Sequence, residues 1–185
     1  MKFPLVISSD GKVKLMNEGK IIDAEGLVDL TYWSNKPNIE QVELHGSADI
    51  LHYRDGKLID SRHLDNLIVN VGIALLAGLT DGSATAYINA MALGTGTIAA
   101  ASTDTALETE VIRVATTNAL VTTTVTNDTA QFTGSFSFTA SYAITEEGLF
   151  NSTTASSGTM LSHMVFAAVN VVSGDSIQYI HKIQF

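Results

Sequence analysis

The segment that decides the fold runs from residue 129 to residue 143 and reads TAQFTGSFSFTASYA. Its aromatic residues all lie at even positions: Phe132, Phe136, Phe138 and Tyr142. Hydroxyl-bearing residues fill the odd positions between them: Thr133, Ser135, Ser137 and Ser141. Because successive side chains of a strand point to opposite faces, this alternation predicts a strand with one buried and one solvent-facing side.

The same alternation continues through the second part of the chain. Apolar residues of one parity recur at its end: Ile177, Tyr179, Ile183 and Phe185. Residues 160–169 are apolar at both parities, which is typical of a strand covered on both faces. We predict strands near residues 87–93, 111–126, 129–143, 146–150, 159–169 and 176–185. Since no helices alternate with them to cover a parallel sheet, the predicted fold class is all-β, an antiparallel β-sandwich or jelly roll.

One short helix is predicted before these strands. Asn70 can cap a helix whose apolar face contains Val71, Leu75 and Leu79, and the polar run 80–83 (Thr-Asp-Gly-Ser) ends it. The preceding residues 67–69 (Leu-Ile-Val) favour an extended conformation.

The first part of the chain is typical of short hairpins. Asp10-Gly11 lies between the β-prone runs 5–9 and 12–16, and Asp55-Gly56 lies between the runs 49–54 and 57–63. Two more extended segments are predicted at 28–33 and 39–45, on either side of a turn at 34–38. We therefore predict a hairpin-rich arm or small β subdomain over residues 1–60 and a β-sandwich domain over residues 61–185.

Composition narrows the function. The 185 residues include no cysteine, which excludes disulfides, thiolate metal sites and a cysteine nucleophile. Ten Lys and Arg against nineteen Asp and Glu give a formal charge of −9, which opposes binding to nucleic acid. The longest apolar stretch, 67–79, is short for a membrane span, and the N-terminal apolar run is short for a secretory signal. We expect a soluble, unprocessed protein with neither nucleic acid nor membrane as partner.

Two enzyme-like motifs are present. Residues 94–99 (Gly-Thr-Gly-Thr-Ile-Ala) fit a dinucleotide-binding pattern, but no helix follows to receive a phosphate. We interpret the segment as a strand exit at which the two glycines supply positive φ. Gly174-Asp175-Ser176 resembles the block around a serine nucleophile, with His163 and Asp175 as conceivable partners. That block needs its acid and base downstream, so we interpret it as a polar turn before the last strand.

Histidines and acidic residues offer metal ligands. There are five histidines: His45, His52, His63, His163 and His181. With a two-residue turn at Asp55-Gly56, His52 faces Ile59 and His63 faces Ala48, on one side of the hairpin but roughly 13 Å apart, too far for one zinc ion. The densest acidic group of the second part is Asp104, Glu108 and Glu110, which lacks EF-hand spacing. A solvated loop or short capped turn is the main interpretation there, and calcium binding the alternative.

Three further polar segments are interpreted as turns. Glu146-Glu147-Gly148 is predicted to be a polar corner before Leu149-Phe150. Asn127-Asp128-Thr129 and Asn151-Ser152-Thr153 match the glycosylation pattern and are expected to be turn residues. No residue is predicted to be catalytic, cofactor-binding or metal-ligating, and we expect neither enzymatic activity nor a required cofactor.

Five motifs in order along residues 60–185 resemble a family of small structural proteins of tailed bacteriophages. They are residues 66–72 (Asn-Leu-Ile-Val-Asn-Val-Gly), residues 92–97 with the strand exit (Ala-Leu-Gly-Thr-Gly-Thr), residues 104–110 (Asp-Thr-Ala-Leu-Glu-Thr-Glu), residues 144–150 (Ile-Thr-Glu-Glu-Gly-Leu-Phe) and residues 170–177 (Asn-Val-Val-Ser-Gly-Asp-Ser-Ile). The resemblance implies a part of the virion, assembled in the cytoplasm of the bacterial host. Members are described as head decoration, tail or fibre components.

Three functional hypotheses remain, and the resemblance implies the first two of them. The first is a capsid decoration or cement protein that stabilises the shell by contacts with the major capsid protein. The second is a tail, collar or fibre component that joins virion parts or contacts the host surface. The third is a carbohydrate-binding β-sandwich, which an exposed row of aromatic side chains would favour.

We also expect a homo-oligomer, which the resemblance implies to be a trimer. Both prolines, Pro4 and Pro37, lie outside residues 66–185, and Lys182 is the one lysine within them. Exposed strands usually carry Lys or Pro to prevent edge pairing. A neighbouring copy or the 1–60 arm should therefore cover the sheet edges, with the Asp55-Gly56 hairpin as the favoured contact.

Overall fold

The computed structural model describes residues 6–7, 13–14, 20–23 and 26–29, and the continuous stretch 44–185. The chain divides into two compact units, Met1–Val42 and Glu43–Phe185. Its fold is all-β, as predicted: two antiparallel sheets form a sandwich, and the described residues include one α-helix.

The described residues of the N-terminal unit form two strand pairs. Strand β1 (Val6–Ile7) pairs antiparallel with β2 (Val13–Lys14), so the two runs predicted on either side of Asp10-Gly11 pair with each other, and the predicted turn itself lies outside the described residues. Strand β3 (Lys20–Asp23) pairs antiparallel with β4 (Gly26–Asp29), and β4 includes the start of the segment predicted at 28–33. The rest of that segment and most of the one predicted at 39–45 lie outside the described residues.

The C-terminal unit is built from two five-stranded sheets. The first sheet has the order β10-β11-β14-β5-β6, and the second has the order β7-β13-β12-β8-β9. Their strands are β5 (His45–Arg54), β6 (Lys57–Asp65), β7 (Leu67–Ile68), β8 (Ala90–Gly94), β9 (Glu110–Ala115), β10 (Thr117–Val121), β11 (Thr129–Ser137), β12 (Tyr142–Phe150), β13 (Met160–Val171) and β14 (Ser176–Gln184).

Aromatic side chains fill the space between the sheets. Phe136 and Tyr179 are fully buried and meet edge to face, with ring centroids 6.5 Å apart, and Phe166 packs on the other side of Tyr179. The predicted inward faces of β11 and β14 are therefore confirmed. The prediction is wrong for two of the aromatic residues assigned to these inward faces. Tyr142, the first residue of β12, is 37% exposed, and Phe185, which follows the end of β14, is 51% exposed.

The hairpin at Asp55-Gly56 is confirmed, but it belongs to the sandwich. Both turn residues have positive φ, 49° and 73°, as a two-residue type I′ turn requires. Strand β5 then pairs with β14 along its length, from Tyr53↔Ser176 to His45↔Gln184. The predicted domain boundary between residues 60 and 61 is therefore wrong, because the hairpin covers the edge of β14 and the units divide after Val42.

A β-bulge changes the register of this hairpin. Tyr53 pairs with Leu58 but His52 pairs with Asp60, so Ile59 is the extra residue. Beyond the bulge, His63 is opposite Asp49 instead of Ala48. His52 is buried and His63 is exposed, so the prediction that they share one side is wrong.

Helix α1 (Asn70–Asp81) packs directly on β13. A Cβ atom on Gly72 would lie 2.2 Å from the carbonyl oxygen of Leu161, so only glycine permits this approach. The predicted cap is wrong by one position, because Val69 is the N-cap and no side chain caps the helix. The helix ends at Asp81, within the predicted polar run, and Gly82, whose φ is 81°, is its C-cap. Its contact with β13 helps bury residues 160–164 on both faces.

The single strand predicted at 111–126 is two strands in different sheets. β9 pairs with β8 in the second sheet, and β10 pairs with β11 in the first. Thr116 lies between them, where the chain crosses from one layer to the other, and alternation of residue type does not reveal such a crossing.

Candidate functional site

Two adjacent glutamates lie at the centre of the second sheet. Glu146 and Glu147 are both 0% exposed and occupy the middle of β12, so the predicted polar corner is wrong. Because they are consecutive in a strand, their side chains point to opposite faces of the sheet. Each carboxylate therefore has its own set of partners, the Glu146 cluster and the Glu147 cluster.

The Glu146 cluster anchors the loop between β8 and β9. Glu146 Oε1 accepts hydrogen bonds from the backbone N–H groups of Gly96 and Thr109, both at 2.8 Å. Its Oε2 accepts one from the N–H of Glu108 at 2.9 Å. Three backbone donors that β pairing leaves free are thus satisfied by one buried carboxylate.

Glycines 94 and 96 make room for this carboxylate. A Cβ atom would lie 2.3 Å from Glu146 Oε1 at Gly94 and 2.6 Å from it at Gly96. β8 ends at Gly94, so the predicted strand exit is confirmed. The predicted reason is wrong, because neither glycine has a positive φ. Close approach of the carboxylate, not backbone conformation, explains both residues.

His163 joins two carboxylates in the same cluster. Its Nδ1 lies 2.7 Å from Asp104 Oδ2 and its Nε2 lies 3.3 Å from Glu146 Oε2. Burial disfavours the charged imidazolium, but the two carboxylates outweigh burial and raise the pKa of His163 above 6.5. Both ring nitrogens then donate.

The two carboxylates are correspondingly held in their charged forms. Burial opposes the charge on Glu146, but hydrogen bonds from His163 and the three backbone amides keep its pKa below 4.5. Burial likewise opposes the charge on Asp104, and hydrogen bonds from the N–H of Ala101 and from His163 keep its pKa below 3.8. The Glu146 cluster is therefore an ion triad in which opposite charges compensate one another.

The acidic group at 104–110 forms capped turns. Asp104 accepts a bond from the N–H of Ala101 at 2.8 Å, and Glu108 Oε2 accepts bonds from the N–H groups of Thr97 and Ile98. The capped-turn interpretation is confirmed. Among the described residues, no three His, Asp or Glu side chains are arranged to hold a metal ion.

Glu110 acts through Arg113. The pair is bidentate, with N–O distances of 2.8 and 2.7 Å, and the Arg113 guanidinium lies 3.8 Å from the centre of the Phe150 ring. Arg113 also donates to the carbonyl oxygens of Ser152 and Ser157. A side chain that is 2% exposed thus ties the loop after β12 to β9.

The Glu147 cluster links the two sheets through the sandwich interior. Its carboxylate on β12 lies 3.2 Å from Nδ1 of His181 on β14. Nε2 of His181 lies 2.8 Å from the amide nitrogen of Asn66 and 3.5 Å from Oγ of Ser162 on β13. The nearby Tyr179 hydroxyl has no hydrogen-bond partner in the described part of the chain. Burial first, and then the Glu147 charge, raises the pKa of Tyr179 well above 10.

Ser162, His181 and Glu147 have the order of a hydrolase triad. No sequence motif predicts this set, because the three residues lie on separate strands and have no characteristic spacing. Each of the three is 0% exposed, so no substrate carbonyl can reach Ser162 Oγ. We interpret the arrangement as a cross-sheet connection.

The triad considered around Ser176 is not assembled. Asp175, 1% exposed, accepts bonds from His52 at 2.9 Å and from Arg54 at 2.8 and 2.7 Å. The Arg54 guanidinium is the main cause that holds the pKa of Asp175 well below 3.8. This group, the Asp175 cluster, ties the turn before β14 to β5 and confirms the predicted polar turn, while His163 lies in the Glu146 cluster.

The remaining candidates lie in turns or at the surface. His63 is exposed and bonds Asp49 at 2.7 Å, and His45 begins β5. Asp128 accepts hydrogen bonds from the backbone N–H groups of residues 123–125, and these bonds lower its pKa. The predicted turn is confirmed at Asn127 and Asp128, but Thr129 is already the first residue of β11 and is buried. Asn151 holds the next turn through the N–H of Thr159.

Comparisons of the chain with protein-family models, curated proteins and solved structures give no match. Among the described residues, no helix has the length and apolar character needed to cross a membrane. The function is therefore argued from the motifs and from what their residues do in the fold.

Proposed function

We propose that the protein is a structural component of a tailed-bacteriophage virion, specifically a decoration protein on the outside of the shell. In this role it stabilises the capsid through contacts with the major capsid protein. The proposal starts from the five ordered motifs that resemble such proteins, and it requires neither catalysis nor a cofactor.

The observation that carries the proposal is that residues from different motifs contact one another in the fold. Gly94 and Gly96 of the strand exit, Asp104 of the next motif and Glu146 of the following one come together in the Glu146 cluster. Gly94 and Glu146 are 52 positions apart in the sequence, yet the four residues form one set of contacts. Motifs that meet in space contribute to one scaffold, and this supports the proposal that the motifs belong together as a structural unit.

The outer motifs have scaffold roles as well. Asn66 of the first motif belongs to the Glu147 cluster, and Gly72 lets helix α1 contact β13. Asp175 of the last motif belongs to the Asp175 cluster. All five motifs therefore contribute to the fold, which favours a structural protein over an enzyme, whose shared motifs would surround an accessible site.

The surface suits the outside of a particle. The solvent-facing positions of β11 carry short side chains such as Ser135 and Ser137, which lose little conformational entropy when they are buried against a neighbour. The formal charge of −9 disfavours association with packaged DNA. Carbohydrate binding is less favoured, because Phe132, Phe136 and Phe138 are buried and do not form an exposed aromatic row.

Copy number in purified particles tests the proposal. Particles are banded twice in density gradients, and the chain is quantified by mass spectrometry with isotope-labelled peptides against the major capsid protein. A decoration protein is present in hundreds of copies per particle. A dozen or fewer copies would indicate a tail, collar or fibre component, and absence from the particle would reject a virion role.

A further inference from the structure

The loop between β8 and β9 lies against the outer face of the second sheet. Residues 95–97 and 107–109 form its base, and residues 98–106 form its tip. Three backbone N–H groups of the base donate to the buried Glu146 carboxylate. Leu107 of the base packs in an apolar cluster whose other members are Val69, Ala90, Ala92, Phe150 and Met160. The base is therefore attached by both polar and apolar contacts.

The tip has fewer attachments. In the described part of the chain, two hydrogen-bonded contacts join it to elements outside the loop. The carbonyl oxygen of Ser102 accepts a bond from the N–H of Asn70 at 2.8 Å, and Asp104 Oδ2 lies 2.7 Å from Nδ1 of His163. Most residues of the tip are exposed, including Ile98 at 68%. The tip can therefore leave the sheet without loss of a packed core, provided that these contacts break.

His163 connects the tip to the anchor of the base. Its Nδ1 faces Asp104 of the tip, and its Nε2 lies 3.3 Å from Oε2 of Glu146. A protonated imidazole donates from both nitrogens, whereas a neutral one has a single N–H. Loss of the proton therefore leaves one nitrogen lone pair directed at a carboxylate.

Burial decides which carboxylate gives way. The side chain of Glu146 is 0% exposed and is held by the three N–H groups of the base. The side chain of Asp104 is 27% exposed and belongs to an exposed segment, so water can replace His163 as its partner. A neutral His163 should keep its one N–H on Glu146 and lose Asp104.

The other charged groups around the ring do not replace this contact. Glu108, the third carboxylate of the loop, binds the N–H groups of Thr97 and Ile98, and it adds negative charge beside Glu146. From β7, the residue paired with His163 is Leu67. The charged residue of helix α1 is Asp81, at its C-terminal end, and Glu147 and His181 lie on the opposite face of the sheet.

We propose that His163 is a pH-sensitive latch for this loop. When protonated, it holds the tip closed through Asp104. When neutral, it releases the tip, while the base stays bound to Glu146. The loop is thus hinged at its base, and its tip is closed in mildly acidic solution and open in alkaline solution.

The pH range follows from the charges. Burial opposes the imidazolium, but the two carboxylates outweigh burial and raise the pKa of His163 above 6.5. The open state has lost Asp104, so its pKa is lower than that of the closed state. The equilibrium constant for opening therefore rises with pH between the two values and levels off above the closed-state pKa. Loss of one opposite charge shifts a pKa by about one unit, so opening should increase about tenfold.

Hydrogen exchange of single amides, read by nuclear magnetic resonance from pH 6 to 9, tests the latch. Protection factors remove the intrinsic pH dependence of exchange. The amide of Asn70 reports the tip, and the amide of Thr109 reports the base. We expect the protection of Asn70 to fall about tenfold while that of Thr109 stays constant. In His163→Gln the protection of Asn70 should be low at every pH, whereas His63→Gln, an exposed histidine on β6, should behave like the wild type.

Spin labels on the loop give a second measurement that needs no change at His163. The natural chain has no cysteine, so Thr103→Cys and Thr97→Cys each introduce one exposed thiol, at the tip and at the base. The mobility of the label at 103 should increase from pH 6 to 9, and that of the matched label at 97 should not. Equal behaviour of the tip at both pH values, opening of the base together with the tip, or a pH dependence that persists in His163→Gln would overturn the proposal.

Discussion

Replacement of Glu146 by glutamine is the most informative test of the Glu146 cluster. Each carboxylate oxygen accepts two hydrogen bonds: Oε1 from the N–H groups of Gly96 and Thr109, and Oε2 from the N–H of Glu108 and from His163. A glutamine amide has one oxygen. Whichever way it is placed, its NH₂ group faces two donors, so two of the four bonds are lost.

The size of the effect follows from these contacts. A buried donor without an acceptor costs about 1–3 kcal/mol, and two such donors in a site that is 0% exposed give about 3 kcal/mol in total. For a chain of this length, that loss lowers the melting temperature by about 6–12 °C. Loss of the anion also removes one of the two carboxylate partners of His163, which adds to the effect.

Glu108→Gln is the matched control. Glu108 accepts both of its loop bonds, from Thr97 and Ile98, on the single oxygen Oε2. A glutamine can place its one oxygen there and keep both bonds, so the free energy of unfolding should change by less than about 1 kcal/mol.

Urea denaturation followed by circular dichroism measures both variants. Hydrogen exchange read by mass spectrometry should show that the amides of Gly96, Glu108 and Thr109 lose protection in Glu146→Gln alone. If Glu146→Gln unfolds at the wild-type urea concentration, or if these amides remain protected while the variant is destabilised elsewhere, the Glu146 carboxylate does not anchor the loop.

Three other outcomes are expected. His163→Gln should be less stable than the wild type below pH 6.5, and the difference should become smaller at higher pH. Because the folded pKa of His163 is raised, the stabilisation that its charge provides is complete below 6.5 and disappears as the pH rises through the folded value. Urea midpoints across pH, with exposed His63→Gln as control, measure this, and a pH-independent difference would contradict it. Gly94→Ala should lower the free energy of unfolding by about 3 kcal/mol, because the new Cβ atom would lie 2.3 Å from Glu146 Oε1. Gly82→Ala is the control: Gly82 has a positive φ but open space around it, so the loss should be about 1 kcal/mol. Equal urea midpoints of the two variants would disprove the steric reason. Deletion of residues 176–185 should abolish soluble folding, because β14 lies between β11 and β5 in the first sheet. A truncated chain that keeps the cooperative melt of the wild type would show that β14 is not needed for the core.

The sequence predicted elements whose signals are local. Alternation of aromatic and hydroxyl residues gave β11, and the two Asp-Gly pairs gave the hairpins, because residue type and turn geometry are read within a few positions. The strand exit at Gly94 was predicted for the same reason.

The buried carboxylates could not be predicted in this way. Two consecutive glutamates before a glycine are typical of a solvated corner, and burial becomes favourable only when the loop between β8 and β9 supplies three N–H groups and β13 and β14 supply His163 and His181. Those partners are distant in sequence. One signal was available: residues 144–150 keep the apolar pattern of a strand on both sides of the glutamates.

Register was the other source of error. A single extra residue at Ile59 reverses the face of every later residue in β6, which moved His63 to the surface, and no feature of residue type predicts a bulge there. The same limit explains why Thr116, where the chain changes sheets, was placed inside one long strand.

A cryo-electron microscopy reconstruction of the complete particle would show whether this chain decorates the outside of a phage shell. A decoration protein should give density for a two-layer β-sandwich on the outer surface of the shell, repeated with its symmetry, into which residues 44–185 fit. A shell without such density, or a sandwich of this shape found only at the neck, tail or fibres, would contradict it.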